Sequence, residues 1–218
     1  MDTFTLRQRI EYEEFDYQIL LDALREYARP RDKISDLLEK GVIVRVKKGL
    51  YVFSEAYRRR PVTREILANL IYGPSYISLE YALHYHGLIP ERAETLTSVA
   101  CGRSRAFHTP IGTFSYRRIP DRSFQTGMDR VELDNGRSFL IATPEKALAD
   151  MVVGDRGAGI QTQTELRDYL LDSLRIDPAG LQELDPERLL DIAGRYRSRR
   201  LKMLGKLVAS LRGAAKGD

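Results

Sequence analysis

The segment spanning residues 73–91 holds the densest set of helix start and stop signals in this 218-residue chain. Ser78 is favoured at a helix N-cap, because its hydroxyl can accept a hydrogen bond from a backbone N–H of the first turn. Gly87 suits a left-handed C-terminal cap, and Pro90 prevents the helix from continuing. The apolar residues between these ends recur at helical spacing. The segment therefore predicts a short helix between Ser78 and Gly87 that packs into the core.

Residues 1–60 show the order of elements that is typical of a winged helix-turn-helix. Apolar periodicity and turn signals predict helices over residues 6–12, 15–27 and 32–40, then strands over residues 42–46 and 50–53. In such a module the second helix of the pair enters the major groove of DNA, and the hairpin contacts the backbone. We therefore predict a DNA-binding domain over residues 1–60.

Two groups of polar residues in this domain are candidates for DNA contacts. They are Arg29, Arg31, Lys33 and Ser35 at the start of the second helix, and Arg45, Lys47 and Lys48 in the hairpin. Residues 25–60 contain 11 basic and 5 acidic residues, so this part of the chain carries positive charge. Asp32, Asp36 and Glu39 nevertheless fall on the outer face of the second helix, where carboxylates repel phosphates. We therefore expect phosphate contacts rather than extensive base readout.

The charged run that ends at Pro61 predicts a boundary, after which residues 61–218 form a second domain. The predicted strands cover residues 95–101, 106–109, 113–119, 130–133 and 138–142, with Asn135-Gly136 as a hairpin turn. Thr143, Thr162, Asp177 and Asp185 are predicted N-caps of the helices that follow. The chain is therefore predicted to be α+β, with a winged helix-turn-helix followed by a C-terminal domain of helices around an antiparallel sheet.

A second basic surface is predicted near the C-terminus. In the last predicted helix, Leu201, Leu204, Val208 and Leu211 form an apolar stripe, and Arg195, Arg199, Lys202 and Lys206 lie opposite. One interpretation is the solvated face of an ordinary packed helix. The other is a contact surface for nucleic acid or an acidic partner.

The sequence contains no recognisable catalytic or cofactor-binding motif, so we expect neither enzymatic activity nor a cofactor. His84 and His86 are two apart on a helix and point in different directions, which does not suit a shared metal. Glu80 and His84 could pair as acid and base in a hydrolase, but pairs at this spacing are common on helix surfaces. Cys101 is the only cysteine, which excludes an internal disulfide.

No run of about 18 apolar residues is present to span a membrane, and the first residues are too polar for a signal peptide. We therefore expect a cytoplasmic protein without a membrane partner. Its formal net charge is +4, with the excess of positive charge towards the C-terminus.

Several motifs together resemble those of the AbiEi-type antitoxins of type IV toxin-antitoxin systems. They are LEKGVIVRVKKGLYV at 38–52, GPSYISLEYAL at 73–83, GLIPE at 87–91, TSV at 97–99, GTFSY at 112–116 and IATPEKALAD at 141–150. The resemblance covers roughly residues 15–210 and depends on the shared order of the motifs. It implies an N-terminal winged helix that represses the promoter of its own operon. It also implies a C-terminal domain that counteracts a nucleotidyltransferase-like toxin encoded alongside.

A plain winged-helix transcriptional regulator, with a ligand- or partner-binding C-terminal domain, is the alternative. The identity of the neighbouring gene would distinguish these two hypotheses.

Overall fold

The computed structural model describes residues 3–133, 136–155 and 157–215, in which two groups of elements follow one another along the chain. The N-terminal unit, up to residue 60, contains α1 (Thr3–Arg9), β1 (Glu14–Asp16), α2 (Tyr17–Ala23), α3 (Pro30–Glu39), β2 (Ile43–Lys47) and β3 (Leu50–Phe53). The C-terminal unit begins with α4 (Arg64–Ile71), β4 (Ser75–Ile77), α5 (Leu79–Tyr85), β5 (Leu96–Ala100), β6 (Arg105–Thr109) and β7 (Gly112–Arg118). It continues with α6 (Asp121–Phe124), β8 (Met128–Glu132), β9 (Ser138–Ala142), α7 (Pro144–Gly154), α8 (Gln163–Asp168), a π-helical turn (Tyr169–Ser173), α9 (Pro178–Glu183), α10 (Pro186–Tyr196) and α11 (Arg199–Ala215).

The N-terminal unit has three helices and a hairpin in the predicted order, together with a strand that was not predicted. α1 begins three residues before its predicted start, and α2 ends four residues before its predicted end. β1 pairs with β3, so the sheet has three antiparallel strands in the order β1-β3-β2. The helix predicted from residue 15 instead begins at Tyr17, because Phe15 lies in β1 and Asp16 caps α2 through its carboxylate, 2.8 Å from the N–H of Ile19. A three-residue strand is too short to show an alternating pattern.

The C-terminal unit confirms the α+β prediction, but the expectation of an antiparallel sheet was wrong for two strand pairs. The six strands lie in the order β6-β7-β5-β4-β9-β8. β5 pairs with β7 in parallel and β4 pairs with β9 in parallel, whereas the other three pairs are antiparallel. β7 is the direct neighbour of β5, and so pairs with it in parallel, because β6, which lies between them in sequence, is placed at the outer edge. The predicted turn at Asn135-Gly136 falls partly outside the described residues.

All four predicted N-caps from Thr143 onwards are confirmed by side-chain hydrogen bonds to the first turn of a helix. Their acceptor atoms receive the backbone N–H groups of Lys146, Glu165, Ala179 and Glu187, respectively. Ser78 occupies the predicted N-cap position of α5, but its side chain makes no capping bond. Its hydroxyl donates instead to Asp150, at 2.7 Å. Gly87 has φ +72°, as the predicted left-handed cap requires.

A buried polar network occupies the centre of the C-terminal unit. Lys146 and Asp150 lie one turn apart on α7 with both side chains fully buried, and Nζ of Lys146 is 2.5 Å from Oδ1 of Asp150. The hydroxyl of Tyr196 on α10 donates to the same oxygen at 2.5 Å, and that of Tyr76 on β4 donates to Oδ2 at 3.1 Å. Burial lowers the pKa of Lys146, against the opposing effect of Asp150. The network therefore joins the sheet, α7 and α10 at one carboxylate.

Two buried glutamates organise the boundary between the units, and one of them, Glu14, connects the two. Glu13 accepts hydrogen bonds from the side chain of Arg7 and from the backbone N–H groups of Arg59 and Arg60. Glu14 pairs with Arg137 from the C-terminal unit and accepts the N–H of Thr63. The charged run before Pro61 is therefore held against the N-terminal unit.

The hydrophobic cores overlap at the hairpin of the N-terminal unit. One core cluster contains buried residues from Leu6 to Phe53, and the larger one contains buried residues from Val46 to Val208. Val46, Leu50 and Val52 belong to the larger cluster although they lie in β2 and β3. The hairpin therefore packs on both units.

Candidate nucleic-acid interface

The start of α3 presents two arginines to solvent. Pro30 occupies the first turn of the helix, so Arg29 and Arg31 flank it, and both side chains are exposed. Arg29 lies 3.8 Å from Asp32, a distance at which an exposed ion pair is weak. The hydroxyl of Ser35 donates to the carbonyl of Arg31 at 3.3 Å. Arg31 is exposed and forms no ion pair with another described residue, so its side chain is available for contacts.

The carboxylates on the outer face of α3 are partly neutralised by lysines of the same helix. Asp36 lies 2.6 Å from Nζ of Lys33 and 2.7 Å from Nζ of Lys40. The hydrogen bond from Lys33, followed by that from Lys40, lowers the pKa of Asp36. Repulsion of phosphates by Asp36 is therefore weaker than its sequence position suggests. The same pairing occupies Lys33, which was predicted to contact DNA.

The two lysines of the hairpin turn point to different environments. Lys48 is exposed, whereas Nζ of Lys47 donates to the backbone carbonyl of Ile71 in the C-terminal unit. An irregular register between Arg45 and Lys47 accompanies this change of direction, and such bulges re-aim side chains. Burial lowers the pKa of Lys47. Of the hairpin residues predicted to bind DNA, Lys48 and the exposed Arg45 have side chains available.

Substitution of the two lysines should therefore have different results. We expect Lys48→Ala to lower affinity for operator and random DNA alike, with the slope of log K against log salt falling by about 0.9 for one lost phosphate contact. Lys47→Ala should leave that slope unchanged and destabilise the protein by about 1 kcal/mol, since the carbonyl of Ile71 loses its donor. Salt-dependent titrations and denaturant unfolding of both variants measure these effects. Equal slopes for Lys48→Ala and wild type would contradict the first expectation.

The second predicted basic surface is divided between two helices. Arg195 lies on α10, and Arg199, Lys202 and Lys206 lie on α11, so their prediction as one continuous helix was wrong. Arg197 adopts the left-handed conformation with φ +53° and separates the helices. All four side chains are exposed, and Arg195 is 3.9 Å from Asp191. Leu201, Leu204 and Val208 are buried, as the predicted apolar stripe requires.

Glu80 and His84, which the sequence offered as an acid-base pair, form no hydrogen bond with each other in the described part of the chain. Oε2 of Glu80 and Nδ1 of His84 are buried and have no hydrogen-bond partner among the described residues. His86 is half-buried, and its Nε2 lies 2.7 Å from the carbonyl oxygen of Ala142. Among residues 3–133, 136–155 and 157–215, no cluster of three or more His, Cys, Asp or Glu side chains is placed to hold a metal.

A cleft of about 450 Å³ lies where the two units meet. Its lining combines Tyr12, Arg60 and Arg137 with the carboxylates of residues 11, 13 and 14. The ring of Tyr12 lies under the guanidinium of Arg137, with 4.6 Å between the ring centroid and Cζ. The cleft thus presents both signs of charge beside an aromatic face.

Sequence comparisons found no matching protein-family model and no significant match among curated proteins. None of the helices in the described ranges is both long enough and apolar enough to cross a membrane.

Proposed function

We propose that this protein is a non-enzymatic, cytoplasmic antitoxin of a type IV toxin-antitoxin system that also represses its own operon. The proposed DNA binding rests on the order of elements in the N-terminal unit, where α2 and α3 precede the hairpin of β2 and β3. This order suits a winged helix-turn-helix, with α3 as the helix that approaches the major groove. Arg31 at the start of α3 and Lys48 at the hairpin turn are exposed cations at the two positions where such modules contact DNA.

The antitoxin half rests on the ordered motifs that resemble AbiEi-type antitoxins. Two of those motifs contribute to the buried network. Tyr76 and Ser78 come from the motif at 73–83, and Lys146 and Asp150 come from the motif at 141–150. Their part in holding the C-terminal unit together explains why both motifs would occur in one fold. The proposed partners are the promoter DNA and the cognate nucleotidyltransferase-like toxin, and no cofactor is required.

Co-expression with the neighbouring toxin gene tests the antitoxin half directly. We expect growth to be restored when this protein is produced together with the toxin. Continued growth arrest in the presence of the full-length, folded protein would refute the antitoxin assignment.

Replacement of Arg31 tests the proposed role of α3. We expect Arg31→Ala to reduce the preference for operator over random DNA by about 1 to 3 kcal/mol, which is the usual loss for one bidentate contact to a base. Titrations on the promoter fragment and on a scrambled duplex measure this preference. Glu39→Ala, on the same helix, is a matched control that should not lower it. An unchanged preference in Arg31→Ala would exclude base readout by this side chain.

A transcriptional regulator controlled by a small ligand remains the second candidate, because the cleft between the units could receive one. Clefts between domains are common ligand sites, and this one touches Glu14 and Arg137, which join the units. Under this alternative a ligand would change DNA affinity, and the adjacent gene would not encode a nucleotidyltransferase-like protein.

A further inference from the structure

We propose that the C-terminal unit extends the DNA-contact surface beyond the hairpin, with Arg103 and Arg105 binding phosphate groups of the same duplex. This inference rests on the proposed DNA-binding function and adds a second contact region to it. Neither arginine belongs to the surfaces predicted from the sequence.

β6 and the hairpin are connected through the end of α4. Nζ of Lys47 bonds to the carbonyl of Ile71, which places the hairpin at the end of α4. Tyr72 is the next residue, and the guanidinium carbon of Arg105 is 5.5 Å from the centroid of its ring. Along this path, Arg105 lies within about 15 Å of Lys47, given the usual spacing of about 3.8 Å between neighbouring Cα atoms. Phosphates on one strand advance about 3.4 Å along the DNA axis, so a single duplex can reach both places.

The side chain of Arg105 stacks on the ring of Tyr72, which is itself fixed by its neighbours. Tyr72 packs against Phe107 and Tyr116, with ring centroids 6.0 and 5.3 Å away. Tyr116 is directly opposite Arg105 in the pairing of β6 with β7, and its hydroxyl donates to the carbonyl of Ala68 at 2.6 Å. Stacking on a ring that is itself fixed reduces the entropy that Arg105 loses when it binds a ligand. The guanidinium is therefore positioned before any phosphate arrives.

Arg103 lies on the loop between β5 and β6. Gly102 lies so close to Tyr72 that a Cβ atom there would overlap the tyrosine hydroxyl. This contact draws the loop against the ring, and Arg103 follows immediately. At the far end of the loop, the hydroxyl of Ser104 accepts the N–H of Arg118, at 3.0 Å. The loop is thus anchored on both sides of Arg103.

The charge of this region favours a polyanion. Arg103, Arg105 and Arg118 are exposed, and none forms an ion pair with another described residue. Asp121 is the nearby carboxylate, and it interacts with the thiol of Cys101, whose pKa is raised by burial and by that carboxylate. Arg105 at the start of an edge strand and Arg103 on the loop before it suit the regularly spaced charges of a DNA backbone, whereas they offer no enclosed pocket for a base.

Salt-dependent DNA titration tests the proposal with three variants of the full-length protein. We expect Arg103→Ala/Arg105→Ala to lower the salt slope of log K by up to about 1.8, which corresponds to two phosphate contacts. The ratio of affinities at 50 and 200 mM salt should then shrink about tenfold. Arg103→Lys/Arg105→Lys should restore most of the slope, because the charges remain. Arg167→Ala/Arg188→Ala removes two exposed arginines from α8 and α10 and should leave the slope at the wild-type value.

Hydroxyl-radical footprinting supplies an independent measurement. The double alanine variant should lose protection at the end of the footprint next to the hairpin contact, while protection from α3 remains. Wild-type slope and footprint in that variant would overturn the proposal. Failure of the lysine variant to restore the slope would also overturn it, because the arginines would then act through packing. Absence of binding by the wild-type protein to any duplex at low salt would instead refute the DNA-binding half of the proposed function.

Discussion

Lys146→Met is expected to lower the free energy of unfolding by about 3 to 5 kcal/mol, because it leaves the carboxylate of Asp150 uncompensated in the protein interior. Both side chains of this ion pair are fully buried, with 2.5 Å between Nζ and Oδ1. Methionine fills a similar volume, so the loss reports on charge rather than on a cavity. The hydroxyls of Ser78 and Tyr196 remain bonded to Asp150 but cannot neutralise it.

Denaturant unfolding followed by circular dichroism measures this effect. Lys146→Met/Asp150→Asn is the informative second variant, because it removes both charges and keeps an acceptor for the hydroxyls. Its stability should recover towards that of wild type. Lys40→Met, which removes an exposed partner of Asp36, should leave the unfolding midpoint close to the wild-type value. A single Lys146→Met variant as stable as wild type would show that the buried pair does not organise the core.

Glu14→Ala is expected to destabilise the contact between the two units by about 3 to 5 kcal/mol. The side chain of Glu14 is 1% exposed and that of its partner Arg137 is 12% exposed, so the pair is shielded from water. The substitution also removes the acceptor of the Thr63 N–H, at the start of the C-terminal unit. We therefore expect the N-terminal unit of Glu14→Ala to unfold at lower denaturant concentration than the C-terminal unit.

Hydrogen exchange resolved by segment distinguishes this separation from a uniform loss of stability. Amides of α2 and α3 should exchange faster in Glu14→Ala, whereas those of β5 and α7 should keep their protection. Arg175→Ala breaks an exposed ion pair with Glu91 and is a control that should cost at most about 1 kcal/mol. Uniformly faster exchange in every element would contradict the role of Glu14 as a link between units.

The Lys146 network stabilises the C-terminal unit internally, and the Glu14 pair fixes the N-terminal unit against it. If the proposed extended DNA surface exists, loss of Glu14 should also reduce the contribution of Arg103 and Arg105, because the hairpin would no longer be held beside them.

Elements with a clear period or a strong cap could be predicted from the sequence. The predicted strands at 95–101 and 138–142 closely match β5 and β9, and the Asp-Pro and Thr-Pro pairs correctly located three helix starts. Local signals suffice there because a capping bond or an apolar stripe involves residues only a few positions apart. β1 and β4 were missed, since each has three residues and is defined by its partners. β4 nonetheless lies in the interior of the six-stranded sheet.

The sequence by itself determined most of the helices and strands, the α+β class and the excess of basic residues over positions 25–60. Only the tertiary structure decided how individual charges are used. Lys47 and Lys48 are adjacent in sequence, yet one bonds to the carbonyl of Ile71 and the other is exposed. Glu14 and Arg137, which join the units, are 123 positions apart. Which charged side chains are paired or buried depends on contacts between distant segments and on the cost of burying a charge without a partner. Neither can be predicted from the local pattern of residues.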